Sequence, residues 1–191
     1  KDNEKWYYNN IPIEIADTFN YLGVVFNYTG SFTLNNQYVI GKGLKAMSVL
    51  LRDINKYEVS TGIALQLFDS FVGSILNYSC AVWGFSKSKD IERLHLKFCK
   101  SILGVKLNTY NAAVYNELGR YPLFIKRYEQ IIKYWLRIIH SDNIILKTTL
   151  YASVELHVNN KQSWASKVHK ILNDYGFSDV WNNPFQYEAK Y

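Results

Sequence analysis

The chain has 191 residues, of which 48% are apolar and 20% charged, and its net charge is +6. This composition is typical of a globular domain with a real core, and it excludes a disordered tail. The charge is unevenly spread, because residues 87–137 hold eleven Lys and Arg against four Asp and Glu. A regional basic excess favours a polyanionic partner, either nucleic acid or an anionic membrane surface.

The front of the chain has strand character. Residues 11–15 alternate Ile with other residues and include Pro12, which predicts a short edge strand. Residues 17–28 are aromatic and β-branched, and predict a second strand that ends in a turn over residues 28–31. We therefore expect a small β-hairpin within residues 1–33. Beyond it, apolar residues at helical spacing predict an amphipathic helix from Asn36 to about Lys56, with Ile40, Leu44, Met47, Leu51 and Ile54 on its buried face.

The stretch from Ser60 to Gly84 is apolar on more than one helical face. We expect one continuous helix here, surrounded by other elements, with Ser60 or Thr61 at its start and Gly84 at its end. A membrane span is disfavoured because Asp69 and several amides and hydroxyls interrupt the apolar positions. Two apolar stripes are expected to be covered by other elements. The first comprises Ala64, Phe68, Phe71, Ile75, Tyr78 and Val82, and the second, beside it, comprises Leu65, Val72, Leu76 and Trp83.

Two later helices each combine an apolar stripe with a basic stripe. The first is predicted over residues 87–103 and ends before Gly104, and the second runs from Pro122 to His140. A shorter helix ending at Gly119 lies between them. On the second helix, Ile125, Tyr128, Ile132, Trp135 and Ile139 are expected to form the apolar side. The basic residues on the opposite sides are Lys89, Arg93, Lys97 and Lys100 on the first helix and Lys126, Lys133 and Arg137 on the second.

These patterns predict a mainly α protein in three regions. A short N-terminal β-hairpin occupies residues 1–33, a helical bundle occupies residues 34–140, and residues 141–191 form a helical extension whose tail, after Tyr175, is loosely held. No complete catalytic site is expected. The chain has no glycine-rich phosphate loop of known spacing, its four histidines are dispersed, and paired carboxylates that could hold two metal ions are absent.

Three segments, in this order, resemble the C-terminal region of reverse transcriptases from non-LTR (LINE-like) retrotransposons. Together with a shorter fourth match, the resemblance covers roughly residues 11–140. No single motif is decisive, but the ordered set is specific. The matching segments are Phe19-Asn20-Tyr21-Leu22-Gly23-Val24, then Leu67-Phe68-Asp69-Ser70 with residues 78–84, then Ile91 to Val105, and finally Asn116-Glu117-Leu118-Gly119 with Pro122-Leu123.

The resemblance implies a fragment. In that family the catalytic palm, with its metal-binding aspartates, precedes the Tyr-Leu-Gly segment, and this sequence contains no Tyr-Ala-Asp-Asp tetrapeptide. It therefore implies the end of a palm, a primer-grip hairpin and a helical thumb. No cofactor is expected in this chain, Mg²⁺ belonging to the missing palm, and the chain alone is expected to be inactive as a polymerase. Tyr21, Leu22 and Gly23 would lie near the primer 3′ end, with Gly23 allowing close backbone approach to a strand.

The expected partners are the backbone of a template–primer duplex and the rest of the polymerase upstream, with no membrane. The seven cations of the two basic stripes would contact phosphates without reading bases. An intracellular location, cytoplasmic or nuclear, follows from this reading. The alternative is a helical protein-interaction module, or a decayed or reused retroelement relic, whose basic faces only solubilise it. A free-standing enzyme has no constellation of residues to support it.

Overall fold

A computed structural model describes residues 5–187; expectations for residues 1–4 and 188–191 lie outside this range. The described chain is mainly helical and begins with small antiparallel hairpins, which confirms the expected fold class. The strands are β1 (Tyr7–Tyr8), β2 (Ile11–Pro12), β3 (Thr18–Tyr21) and β4 (Val24–Asn27). The helices are α1 (Thr33–Tyr57), α2 (Thr61–Leu67), a π-helical turn (Phe68–Gly73), α3 (Ser74–Leu76), α4 (Cys80–Trp83), α5 (Lys89–Ile102), α6 (Asn111–Glu117), α7 (Leu123–His140), α8 (Ile144–Val158), α9 (Trp164–Asp174), α10 (Ser178–Asn182) and a 3₁₀ turn (Pro184–Gln186).

The strand pairing differs from the expectation. Residues 17–28 are not one strand but a complete hairpin, in which β3 pairs with β4 and Tyr21 lies opposite Val24. The two turn residues, Leu22 and Gly23, have φ angles of +47° and +80°, the conformation of a tight two-residue hairpin turn. The hairpin is anchored on the helices, because Val24 is buried and the Val25 amide donates to the buried Asn35 side chain of α1 at 2.9 Å.

The central stretch is interrupted twice, so the expectation of one continuous helix is wrong. A π-turn follows α2, and the chain breaks again at residues 77–79, where Ser79 has a φ of +50°. A π-turn accommodates an additional residue per turn and rotates the side chains that follow. Phe68 and Val72 are therefore fully buried, whereas Phe71 is 59% exposed. The buried residues of the stretch are Ala64, Phe68, Val72, Gly73, Leu76, Asn77, Cys80, Trp83 and Gly84.

The buried face of α1 is also shifted from the predicted one. Leu44 is 41% exposed, and the neighbouring Gly43 faces the core instead. A Cβ at Gly43 would lie 2.6 Å from Leu76 Cδ2, so a side chain at this position would force the buried Leu76 side chain to move. Gly43 contributes no side chain to this face and Asn35 is polar, so two of its positions gave no apolar signal to the periodicity. The buried residues of α1 are Asn35, Val39, Gly43, Met47, Leu50 and Ile54.

The chain has two buried apolar clusters, and α7 belongs to both. The first unites α1, the central stretch and α5, with Leu123 at the start of α7. The second contains Ile131 and later residues of α7 together with α8, α9 and α10. The segment after Tyr175, expected to be a loose tail, packs on this second cluster as far as it is described. Val180 is buried there, and the Trp181 ring stacks on Trp135 with centroids 5.2 Å apart.

A buried ion pair fixes the start of α7. Pro122 occupies the N-cap position and provides no capping side chain. Glu92 of α5 replaces that cap, because its carboxylate accepts the Leu123 and Phe124 amides, each at 2.8 Å. Arg127, fully buried one turn later, donates to the same carboxylate at 3.1 Å. Three donors thus converge on one carboxylate, two of them from a helix N-terminus.

We expect Phe68→Ala to lower the free energy of unfolding by ~3–5 kcal/mol, because Phe68 is fully buried and its ring lies 4.4 Å from that of Phe98. Phe71→Ala is the matched control, and at this exposed position the loss should be about 0.5 kcal/mol or less. Urea unfolding of both variants measures the difference. Equal losses would show that the π-turn does not rotate Phe71 out of the core.

Glu92→Ala is expected to cost ~3–5 kcal/mol, because it leaves the buried Arg127 guanidinium without its carboxylate and two helix amides without a cap. Glu117→Ala, which removes an exposed carboxylate from α6, should change stability by about 0.5 kcal/mol or less. Chemical denaturation followed by far-UV circular dichroism compares the two. A small effect at Glu92 would contradict the role given to this pair.

Candidate nucleic-acid interface

The predicted primer-grip residues lie at the tip of the β3–β4 hairpin. Tyr21 is 57% and Leu22 is 72% exposed. The Tyr78 hydroxyl, from the break between α3 and α4, donates to the Leu22 carbonyl at 3.0 Å. A Cβ at Gly23 would lie 3.3 Å from Tyr78 Cε1, and Gly23 has a φ of +80°. The positive φ therefore favours glycine in the turn, and a side chain there would displace the Tyr78 ring slightly. The expected close approach to a bound strand stays a prediction.

A cleft of about 490 Å³ lies beside this turn. Lys42 of α1 lines it, with its Nζ 4.3 Å from the centre of the Tyr38 ring. A hydrogen bond from Lys42 and its positive charge lower the pKa of Tyr38. Sequence reasoning missed Lys42, because α1 lies outside the basic region of the chain. The lining residues are Leu22, Gly23, Tyr38, Val39, Lys42, Ser74, Ile75 and Tyr78.

On α5, three of the four predicted cations are exposed. Lys89, Arg93 and Lys97 lie on successive turns of the helix and face solvent. Arg93 donates to Asp90 at 2.7 Å, and both side chains of this pair are largely exposed. Lys89 and Lys97 have no carboxylate partner within residues 5–187. These two lysines are the cations of α5 most readily available to a phosphate.

Lys100 is not available, contrary to the expectation. It is 6% exposed, and its Nζ donates to the Leu107 carbonyl at 2.6 Å and to Asn111 Oδ1 at 2.8 Å. Helical spacing does place Lys100 on the outer face, but the chain turns back over it. Gly104, at a φ of +66°, ends the helix, and the Val105 amide bonds back to the Lys100 carbonyl. Lys100 stabilises this loop.

On α7, all three predicted cations are exposed, and they differ in their neighbours. Lys133 forms an ion pair with Glu129 at 2.9 Å one turn away. The Arg137 guanidinium lies over the Tyr134 ring at 5.0 Å. Lys126 lines a cavity of about 260 Å³ that also contains Asp69 and Arg120. The structure thus brings the α7 cations to the surface, and phosphate binding by them stays a prediction.

Asp69 and Arg120 form a bidentate ion pair that links the second resemblance segment to the residue directly after the Asn116-Glu117-Leu118-Gly119 segment. Both hydrogen bonds measure 2.6 Å. Gly119, at a φ of +59°, ends the α6 region, and the Arg120 amide bonds back to the Tyr115 carbonyl, so Arg120 turns toward the π-turn. Burial acts to raise the pKa of Asp69, but the hydrogen bonds and charge of Arg120 outweigh it and hold that pKa below its ordinary value.

His95 completes this cluster and is uncharged at neutral pH. Its ring is fully buried and stacks on the Phe68 ring, with the two centroids 5.2 Å apart. The Nε2 atom of His95 lies 3.4 Å from Arg120 Nη2. Burial, and then the charge of Arg120, lower the pKa of His95 to about 3, with Asp69 opposing them. Since Arg120 can only donate, Nε2 accepts and Nδ1 carries the proton.

The remaining reactive groups favour structural roles. Burial raises the pKa of the Cys80 and Cys99 thiols to about 11, so neither is a thiolate nucleophile at neutral pH. Within residues 5–187, no group of three or more His, Cys, Asp or Glu side chains is placed to hold a metal ion. The assignment of Mg²⁺ to a palm outside this chain stays a prediction.

No protein-family model, curated protein or solved structure gives a significant match to the chain. The likeness to non-LTR reverse transcriptases therefore rests on the residues quoted above. In the part of the chain that the structure describes, no helix combines the length and the apolar character needed to cross a bilayer.

We expect His95 to make the protein acid-sensitive. The folded-state pKa of about 3 lies below the ordinary value of 6.5, so unfolding takes up a proton between these pH values. Stability should therefore fall by ~1.4 kcal/mol per pH unit as the pH is lowered below 6.5. His95→Phe, which keeps a ring against Phe68, should reduce this slope between about pH 6 and pH 4.5, where most carboxylates are still ionised. A residual slope remains from His169, whose pKa is also lowered by burial and by His157.

Urea unfolding at several pH values measures the slope for the wild type and for each variant. His140→Gln, at an exposed histidine, is the control and should keep the wild-type slope. The comparison of slopes is independent of any constant stability loss that His95→Phe itself causes. An unchanged slope in His95→Phe would mean that His95 is not held neutral in the folded state.

Proposed function

We propose that the chain is the primer-grip and thumb region of a non-LTR retrotransposon reverse transcriptase, and that it binds the backbone of a template–primer duplex without sequence preference. The observation that carries this proposal is the seating of the Tyr21-Leu22-Gly23 turn on Tyr78. The two groups lie 56 residues apart in sequence and belong to different segments of the resemblance. A hairpin tip held rigidly beside a lysine-lined cleft suits the positioning of a strand end.

The other resemblance segments also meet in space. Asp69 binds Arg120, which follows the Asn-Glu-Leu-Gly segment, and the ring of His95 from the third segment stacks on Phe68 from the second. Segments that match a family in order, and that also contact one another, form a connected unit. These contacts support the proposal that the segments derive together from one reverse transcriptase.

The exposed cations support backbone binding in preference to base reading. Lys89 and Lys97 on α5 and Lys126 on α7 have no ion pair with a carboxylate in the described chain, and Lys42 lies in the cleft beside the hairpin. Lysine ammonium groups are point charges that bind phosphates in many orientations. Such contacts supply affinity and orientation, and carry no sequence information. We do not include the buried Lys100 in this surface.

The N-terminal hairpins suit the proposed upstream partner. Trp6, Tyr8, Ile11 and Ile15 are each more than 60% exposed, although such side chains are usually buried in a folded protein. We propose that the preceding part of the polymerase covers them and provides the aspartates that hold Mg²⁺. The chain alone is then inactive as a polymerase, and it acts where retroelement nucleic acid is found, in the cytoplasm or nucleus.

The test is salt-dependent binding to a fluorescent RNA–DNA hybrid and to a DNA duplex of unrelated sequence. We expect binding to both at about 50 mM salt, and an affinity that falls steeply as salt is added, through counterion release. Lys89→Gln/Lys97→Gln should reduce the slope of log affinity against log salt by about two units, one for each lost phosphate contact. Fluorescence anisotropy at several salt concentrations gives the slope.

The control is Lys56→Gln/Lys161→Gln, which removes two exposed cations from outside both basic stripes and should leave the slope unchanged. Near-UV circular dichroism confirms that both variants fold. Absence of binding by the wild type at about 50 mM salt, or equal slopes in the two double variants, would refute phosphate contact by these lysines. The interaction-module alternative would then be preferred, and an open apolar groove between α7 and α9 is the feature that favours it.

A further inference from the structure

An open apolar groove of about 500 Å³ runs between α7 and the end of α9. Its α7 wall is formed by Ile125, Tyr128, Ile132 and Leu136, which are spaced as one helical face, and Ile171 and Tyr175 form the opposite wall. Most of this α7 stripe was expected from the sequence to be core. Instead Ile125 is 43% and Tyr175 is 45% exposed, so an apolar stripe of α7 is only partly covered by the chain itself.

The groove continues into a basic cleft of about 510 Å³, which shares Tyr128, Ile171 and Tyr175 with it. Lys87 and Lys167 line this cleft together with Lys170 and Asp174, which pair with each other at 3.7 Å. Lys87 Nζ lies 4.8 Å from the centre of the Phe124 ring, and Lys167 Nζ lies 5.5 Å from that of Phe85. Neither ammonium group has an ion pair with a carboxylate among residues 5–187. Both are held against aromatic rings and stay available to an anion.

We infer that the groove binds an amphipathic, acidic helical peptide from a partner protein. The α7 wall runs over the twelve residues from Ile125 to Leu136, or ~16 Å, which matches about three turns of a partner helix. Aliphatic side chains at i, i+4 and i+7 of that helix fill the groove, as in other helix-in-groove complexes. Its carboxylates, placed at one end, pair with Lys87 and Lys167. The charge of the cleft therefore selects an acidic partner helix over a basic one.

The chemistry of the walls favours a peptide over a nucleic acid. Four of the ten lining residues are aliphatic and offer no ring on which a base could stack. Four others are aromatic, but the rings of Phe124 and Tyr175 pack edge to face against Tyr128, with centroids 5.5 and 5.9 Å apart. Tyr128 is fixed by its hydroxyl, which donates to the Phe85 carbonyl at 3.1 Å. The inference is independent of the proposed function, because neither Lys87 nor Lys167 belongs to the cations assigned to the duplex. Either proposal can fail without the other.

The test uses the whole chain and a fluorescent 18-residue peptide with Leu at helical i, i+4, i+7 spacing and Glu at most other positions. We expect saturable binding, measured by anisotropy. Ile125→Glu should weaken it at least ~10-fold by placing a charge in the groove, and Lys87→Gln/Lys167→Gln should weaken it ~10-fold by removing the two charge pairs. A peptide with Lys in place of every Glu should bind at least ~10-fold more weakly than the acidic peptide.

The matched control is Lys56→Gln/Lys161→Gln, which should bind the acidic peptide as the wild type does. Should Ile125→Glu fail to fold, as judged by its thermal transition, the lysine double variant and the basic peptide still decide the matter. No binding at about 1 mM peptide, or equal affinity for both peptides, overturns the inference. Three further results would also overturn it. The first is a dimer, seen in sedimentation velocity, that Ile125→Glu abolishes. The others are displacement of the peptide from the groove by dodecanoate or by single-stranded RNA.

Discussion

The buried pair of Glu92 and Arg127 is the constraint on which the arrangement of the helices depends. An isolated charge at this depth would be costly, and the pair is tolerated because the carboxylate also caps the start of α7. One carboxylate thus fixes the position of the α7 N-terminus, and the guanidinium fixes the rotation of α7 about its axis. With Arg127 directed inward, Lys126 faces solvent and Ile125 faces the groove beside α9. The basic surface and the apolar groove are therefore two consequences of the same internal contact.

Local signals in the sequence predicted the ends of helices well. Gly104 and Gly119 both follow helices and both adopt left-handed backbone conformations, as expected of glycines that terminate a helix. Pro122 stands at the start of α7, as its fixed φ favours. These features depend on a few adjacent residues and on backbone geometry alone. The order of hairpin, bundle and extension follows from the same kind of signal.

Which helix face is buried was less predictable, because it depends on residues far away in sequence. Gly43 marks the point where α1 contacts Leu76, and a residue without a side chain adds nothing to an apolar stripe. The π-turn rotates Phe71 out of the core, and residue types at helical spacing do not reveal an inserted residue. Tyr78 has the spacing of a core aromatic, yet it anchors the hairpin tip of Leu22 and Gly23.

The same limit applies to the candidate interface. Periodicity correctly placed Lys89 and Lys97 on an exposed face, but it placed Lys100 there too, since it contains no information about the loop that folds over that residue. Arg120 and Arg127 belong to the same basic region, and both are used internally, by Asp69 and Glu92.

The regional charge of the sequence therefore overstates the field that a polyanion would meet. Buried cations such as Lys100 and Arg127 fix helices and loops in place, and their charge is matched by carbonyl or carboxylate oxygens close by. The cations that remain at the surface act as separate point charges whose number, and not the net charge of the chain, determines how steeply binding depends on salt. Counting charges in a sequence predicts that a polyanion would be attracted, whereas only the packing of α5 and α7 determines which side chains it would contact.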